Sequence, residues 1–331
     1  MKFLSVLAGL VAIAAATPTP TVDDATHSFE KRASISEAAN LGYATLNGGT
    51  KGGSGGTVTT VSTLAQFTQA VDEKDTSARI VVVKGVISGN AKVRIGSNKS
   101  VIGLPGAGFN NIGLYIRRQK NVIVRNLKIS NVVAENGDAI SIDASTNVWV
   151  DHNELSSALV ADKDYYDGLL DASHGADYLT FSYNYFHDHH KASLVGHSDS
   201  NSSEDKGKLR VTYANNYWKN VGSRTPLLRF GTAHIYNNYY DTVSVSGVNS
   251  RMGAQALLQS SVFRNSPVAV TSRDSDEKGS VALFDVNLGG GLNDAPQGSM
   301  SPSSPPYSYS LLGASAVANT VPNQAGARLS F

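Results

Sequence analysis

Along the middle of the chain, short runs rich in β-branched and aromatic residues recur, and each closes on a small polar side chain. Residues 121–126, 147–153, 178–184, 209–216 and 233–238 end in Asn126, Asn153, Asn184, Asn216 and Asn238, while residues 256–261 end in Ser261. The closing positions lie 22 to 32 residues apart. A repeat of that length marks a stacked architecture, and a strand-rich coil of about 22 residues per turn is the pattern of a β-solenoid. The surplus residues gather in the coils that close at Asn153, Asn184 and Asn216, as loops do when they build a binding surface on one face of such a stack. An antiparallel sandwich with asparagine in its turns is the competing arrangement. The shared direction of the pattern and the gathered inserts favour the solenoid, so the fold class is all-β. Asparagines at one turn of successive coils would then hydrogen-bond to one another at about 4.8 Å spacing, an amide ladder inside the turn.

The flanks complete this picture. Leu64 to Phe67, with Ala70 and Val71, has the spacing of a short amphipathic helix that would cap the N-terminal end of the stack. The chain after Gly289, rich in Ser and Pro from Ser301 to Pro306, is expected to run irregularly along the side. Gly48 to Gly56 is glycine-rich without the Lys-Ser ending of a phosphate loop, and is expected to be a turn-rich loop.

Composition narrows the setting. Met1 and Lys2 precede an apolar run from Phe3 to Ala16, too short to span a membrane and ending in small residues, the pattern of a secretory signal over residues 1–16. Residues 17–32, closing on Lys31-Arg32, read as a pro-segment, which leaves residues 33–331 as a single catalytic domain. Two acceptor sequons, at Asn98 and Asn201, agree with a secreted, extracellular protein. The chain has no cysteine, so packing and hydrogen bonding must hold it together without disulfides. A formal net charge of +1 argues against nucleic-acid and membrane-surface partners, which need a broad basic field. Any acidic ligand must therefore meet a local basic patch.

Candidate chemistry lies in the inserted coils. Asp138 precedes Asp167 by about one local coil, and Asp171 follows four residues on, with Gly168 between them to let the chain bend. Converging carboxylates without cysteine suit a hard cation such as calcium; solvated loop acids are the alternative reading. Lys191 and Arg224 are likewise one local coil apart, and Arg229 follows in Arg224-Thr-Pro-Leu-Leu-Arg229. Together they would form a patch for carboxylates, if they are not separate surface charges. In the run from His187 to His190, His187 and His189 are expected on one strand face as a solvent-facing or hydrogen-bonded pair, because no third metal ligand follows at a recognisable spacing. Serine-hydrolase and zinc-protease motifs are missing.

The ordered set formed by residues 147–154, Asp167-Gly-Leu-Leu-Asp171, Lys191 and Arg224 to Arg229 closely resembles the pectate lyases of polysaccharide lyase family 1. The similarity covers residues 42–326. It implies a right-handed parallel β-helix, a monomer, that cleaves de-esterified polygalacturonate and leaves a 4,5-unsaturated sugar. It also implies Ca2+ as cofactor on Asp138, Asp167 and Asp171, substrate binding by Lys191 and Arg229, and proton abstraction by Arg224. Asn136 stands where some members carry another acid, which speaks against a tightly held second calcium. The run from Trp149 to His152 is a family signature read as structural.

Elimination chemistry agrees with these roles. Taking the C5 proton of a uronate places negative charge on the adjacent carboxylate, which calcium and Lys191 would stabilise. Crowding by calcium, Lys191 and Arg229 would disfavour a further positive charge on Arg224, so an alkaline activity optimum is expected. A pectin lyase acting on methyl-esterified chains would have lost the acids, and a polygalacturonan hydrolase would need an acid and a base carboxyl flanking the glycosidic oxygen.

Overall fold

A strand that buries only one face must find a partner for that face, and here each coil supplies it to the next. The computed structural model describes residues 33–331; the signal and pro-segment expected over residues 1–32 lie outside the described residues. The strands stack as a parallel β-solenoid of about 10 turns. Three parallel ladders form its walls. The first includes Lys120–Arg125, Thr146–Asp151, Asp177–Ser182, Arg210–Ala214 and Thr232–Tyr236. The second includes Lys128–Ser130, Glu154–Ser156, Tyr185–Lys191, Tyr217–Ser223 and Tyr239–Val243. The third carries Ile140–Asp143, Leu170–Ser173, Leu194–Val195, Leu227–Arg229 and Val248–Arg251.

One left-handed residue per coil turns the first ladder into the second: Asn126, His152, Tyr183, Asn215 and Asn237, with φ between 51° and 61°. Such a backbone is costly for most residues, and asparagine tolerates it best after glycine. The next residue inward carries the amide ladder. Asn184 Oδ1 accepts from Asn153 Nδ2 at 3.0 Å, Asn216 Oδ1 accepts from Asn184 Nδ2 at 3.2 Å, and Ser261 Oγ ends the column by accepting from Asn238 N at 3.1 Å. Asn126 departs from the expected register. It is itself the left-handed residue, and Leu127 stands on the rung, donating its N–H to Asn153 Oδ1 at 3.0 Å.

Inside the stack, Phe186, Trp218, Tyr240 and Phe263 pile face to face on successive coils, with centroid separations of 4.0, 5.9 and 4.1 Å. Burial of each such ring contributes about 2–3 kcal/mol, and the stacked geometry adds to it. At the N-terminal end, α1 (Leu64–Ala70) is capped by the Thr63 side chain and lays Phe67 on Phe109 at 4.6 Å, closing the core as expected. The glycine-rich segment is a turn: a Cβ on Gly53 would sit 1.9 Å from the Arg79 carbonyl, so only glycine fits there.

The C-terminal chain runs irregularly as expected, seating Tyr307 and Tyr309 against His234, but it then forms a helix the sequence did not announce. This α2 (Ala314–Gln324) contains Pro322 and lacks a side-chain cap. Tertiary packing holds it, with Val317, Val321 and Ala325 pressed on Tyr239 and Val262.

Candidate active site

Asp138 and Asp171 stand at the third ladder on adjacent coils, and the inserted chain between Glu154–Ser156 and Leu170–Ser173 carries Asp167. Asp138, just before Ile140–Asp143, accepts from the Gly168 N–H at 2.8 Å and from Ser141 Oγ at 2.6 Å. Asp171, on the adjacent coil, accepts from Leu194 N at 2.9 Å. A Cβ on Gly168 would lie 2.6 Å from Asp171 Oδ1 and 2.7 Å from Asp138 Oδ1. The two oxygens are therefore no farther apart than the sum of those distances, within the spread of oxygens on one calcium ion. Gly168 serves here by leaving room, and its backbone is not in the left-handed region that the expected bend would have suggested.

Electrostatics mark this pair as short of positive charge. Burial pushes the Asp138 carboxyl up, with Asp167 adding to the effect against the Ser141 bond. Burial likewise pushes Asp171 well above the usual carboxylate range, reinforced by Asp138 and opposed by Arg224. Two crowded carboxylates with hard oxygen donors fit a bound calcium, which would remove that penalty. Asp167 does not join them. Its Oδ1 faces Lys191 Nζ at 3.6 Å, and among the described residues no three carboxylate or imidazole groups converge on one point.

The cations gather from successive coils. Lys191 ends Tyr185–Lys191 and pairs in register with Ser223, directly before Arg224. Its Nζ lies 2.6 Å from Asp164 Oδ1, and hydrogen bonds from Lys163 and Lys191 hold the Asp164 carboxyl down at about 2. Arg224 occupies a left-handed corner with φ 61°, and its carbonyl accepts from Ser193 N at 2.8 Å. Arg229 pairs with Asp199 and donates to the Gly196 carbonyl at 3.0 Å. Arg224 differs from both, since among the described residues it makes no ion pair. Sequence reasoning missed Arg251, which stands in register with Arg229 on the next coil. Burial, together with Arg229, lowers the Arg251 guanidinium, and its Nε has no hydrogen-bond partner. The single-coil interval after Arg229 was the available signal. Asp164 was also overlooked, in the stretch from Asp162 to Asp167 for which solvated loop acids were the alternative reading.

The histidines do not share one face. Asp188, with φ 51°, breaks the alternation, so His187 is half-buried while His189 is enclosed. Burial takes His189 down to about 4, and its Nε2 bonds the Asp167 carbonyl at 2.7 Å. His190 Nε2 bonds the Val160 carbonyl at 2.8 Å, so both tack the inserted loop to the second ladder. For His187, burial would lower the group, but the Glu154 carboxylate 3.7 Å from Nε2 and the Asp188 carboxylate bonded to Nδ1 at 2.7 Å win and raise it. On the first ladder, Asp151 bonds Arg125 Nε and His152 Nδ1, both at 2.7 Å, while Trp149 Nε1 donates to Ser182 Oγ at 2.9 Å. Residues 149–152 thus hold a buried network together, as a structural role requires. Asn136 sits in an amide cluster, donating to Asn90 Oδ1 at 2.6 Å. Both sequon amides are engaged, Asn98 with the Thr76 carbonyl at 2.8 Å and Asn201 with Glu204 at 3.0 Å.

A parallel β-helix whose outer face sets crowded carboxylates beside arginines from successive coils belongs to the class of solenoid proteins equipped to hold an acidic ligand. Comparison with known proteins narrows that class. A family model described as pectate lyase matches residues 29–330. Pectate lyase plyB of Emericella nidulans is 52% identical over 97% of this chain and 98% of its own, and pectate lyase B of Colletotrichum gloeosporioides is 56% identical over 91% and 89%. Among solved structures, pectate lyase Bsp165PelA from Bacillus sp. N165 in complex with trigalacturonate superposes with a TM-score of 0.79 at 32% identity, covering 87% of this chain and 98% of that one. The chain belongs to the pectate lyase family and is a polysaccharide lyase.

Proposed function

We propose that this lyase is secreted and cleaves de-esterified polygalacturonate by calcium-assisted β-elimination, with Arg224 as the proton acceptor. The observation that carries the reading is the placement of Arg224. It faces Asp171 across adjacent coils and, among the described residues, is the guanidinium of this face without an acidic partner. The trigalacturonate in the bacterial relative's structure supports an acidic galacturonan as substrate.

Asp138 and Asp171 would hold the calcium, with Asp167 approaching when it leaves Lys191. Bound there, the ion would supply positive charge to the uronate carboxylate as negative charge develops on it. Lys191 and Arg229 orient substrate carboxylates, each already fixed by a loop acid, Asp164 and Asp199. Arg224 takes the C5 proton, the electron pair closes the C4–C5 double bond, the C4–O bond breaks, and water returns a proton to the leaving oxygen. Only a neutral guanidine accepts a proton, and guanidines lose theirs far above neutral pH, so the rate is expected to rise toward alkaline pH.

Replacing Arg224 by lysine tests the assignment. Turnover on polygalacturonate, followed by the ultraviolet absorbance of the unsaturated product, should fall by about 10²–10⁴-fold with the fold intact. Chelator should abolish wild-type turnover. Near wild-type activity in Arg224→Lys would remove the arginine from the chemistry, and a saturated product would replace elimination by hydrolysis.

A further inference from the structure

A second recess lies away from the acidic and basic face, where the left-handed corners of the first ladder meet the C-terminal chain. It encloses about 410 Å3 and is lined by Tyr183, Asn215, Tyr236, Tyr309, Leu311 and Leu312, among others, none of its lining residues carrying a charge. That volume falls in the range of small-ligand clefts.

Its walls combine two kinds of surface. Leu311 and Leu312 are 44% and 37% exposed, unusually open for leucines, and the Tyr309 ring lies 5.4 Å from the Tyr236 ring. Opposite chemistry comes from polar ends that open into the recess. Tyr236 is only 3% exposed and Asn215 only 6%, yet among the described residues the Tyr236 hydroxyl makes no hydrogen bond and the Asn215 Nδ2 makes none either. Tyr183, braced by stacking on His152 at 4.6 Å, adds a further hydroxyl that makes no hydrogen bond among the described residues. Neighbouring amides in the same wall are fully used: Asn237 Nδ2 donates to Asn215 Oδ1 and to the Ser310 carbonyl, both at 3.0 Å, and its Oδ1 accepts from Leu312 N. These polar ends open into the recess and are not sealed inside the protein, so a ligand hydroxyl can bond them in place of solvent.

A ligand that suits this recess must offer hydroxyls to the phenols and amide and an apolar face to the leucines and ring, and must carry no charge. An ionised uronate would enter without a cation to meet it. We propose that the recess binds a neutral sugar residue of a polysaccharide, a non-catalytic anchoring site on a different face from the one that handles acidic substrate.

Affinity electrophoresis of the full chain, with chelator present, in gels containing linear galactan, arabinan or xyloglucan tests this. At least one neutral polymer should retard the protein. The paired variant Tyr183→Phe with Tyr236→Phe, which removes two hydroxyls and keeps both rings, should weaken that retardation at least tenfold while leaving turnover on trigalacturonate and the melting temperature unchanged. No retardation by any of the three polymers would overturn the proposal. Retardation that survives the paired variant but disappears in Arg229→Ala would overturn it too, because the neutral polymer would then lie on the charged face.

Discussion

Gly168 concentrates the chemistry of the acidic pair in one missing methyl group. Its N–H donates to Asp138, and a Cβ there would sit 2.6–2.7 Å from an oxygen of each carboxylate. Neither carboxylate can simply swing away, since Ser141 Oγ and Leu194 N pin their other contacts. In Gly168→Ala the pair should be forced apart, and the calcium concentration giving half-maximal activity is expected to rise at least tenfold. Circular dichroism should report an unchanged fold, because the glycine's own backbone is of a kind any residue adopts. An unaltered calcium requirement in the alanine variant would show that the ion does not sit between Asp138 and Asp171.

At the level of elements, the amide ladder is what converts a string of similar strands into one register. Asn184 is the central rung: it accepts from the N and Nδ2 of Asn153 and donates to the Val150 carbonyl at 2.9 Å. Asn184→Ala leaves those buried groups without partners, at a cost of about 2–4 kcal/mol. The melting temperature should drop by about 5 °C or more. A drop within 1 °C, on the order of the effect of a neutral surface change, would mean that the strands set the register by themselves. The ladder also measures how far the sequence could be read. Closing asparagines revealed the coils, because one residue type is required at one turn of every coil. Yet Asn126 looked like a rung when it is a left-handed corner, since both positions favour asparagine. Helix α2 carried no comparable mark: its face is defined by Tyr239 and Val262 on distant coils, and local sequence does not record them. Interval counting brought Lys191 to within one residue of its register partner, Ser223 rather than Arg224, and would have reached Arg251, but it could not foresee that Asp167 turns to Lys191, which depends on the path of an inserted loop.

Across the whole molecule, two enclosed histidines tie peripheral chain to the stack and make its stability depend on pH. His234 bonds Tyr307 of the C-terminal chain and Gln259, both at 2.9 Å, and burial takes it down from 6.5 to about 4. His189, similarly lowered to about 4 by burial, fastens the loop that carries Asp167. With a depressed folded value, each histidine takes its proton first in the unfolded chain, so stability is full above 6.5 and drains away as pH falls toward 4. Asp138 and Asp171 act in the opposite sense. Their folded values are raised, so in chelator they favour the fold more as pH falls, and calcium held by the pair would cancel that compensation by keeping them ionised. Melting temperature should therefore decline between pH 6.5 and 4, and more steeply with calcium than with chelator. His234→Gln should flatten the decline by about one proton's linkage, roughly 1.4 kcal/mol per pH unit, under either condition. Equal slopes with and without calcium would detach the acidic pair from the metal, and an unchanged slope in His234→Gln would mean that the buried imidazole is not what the fold loses on acidification.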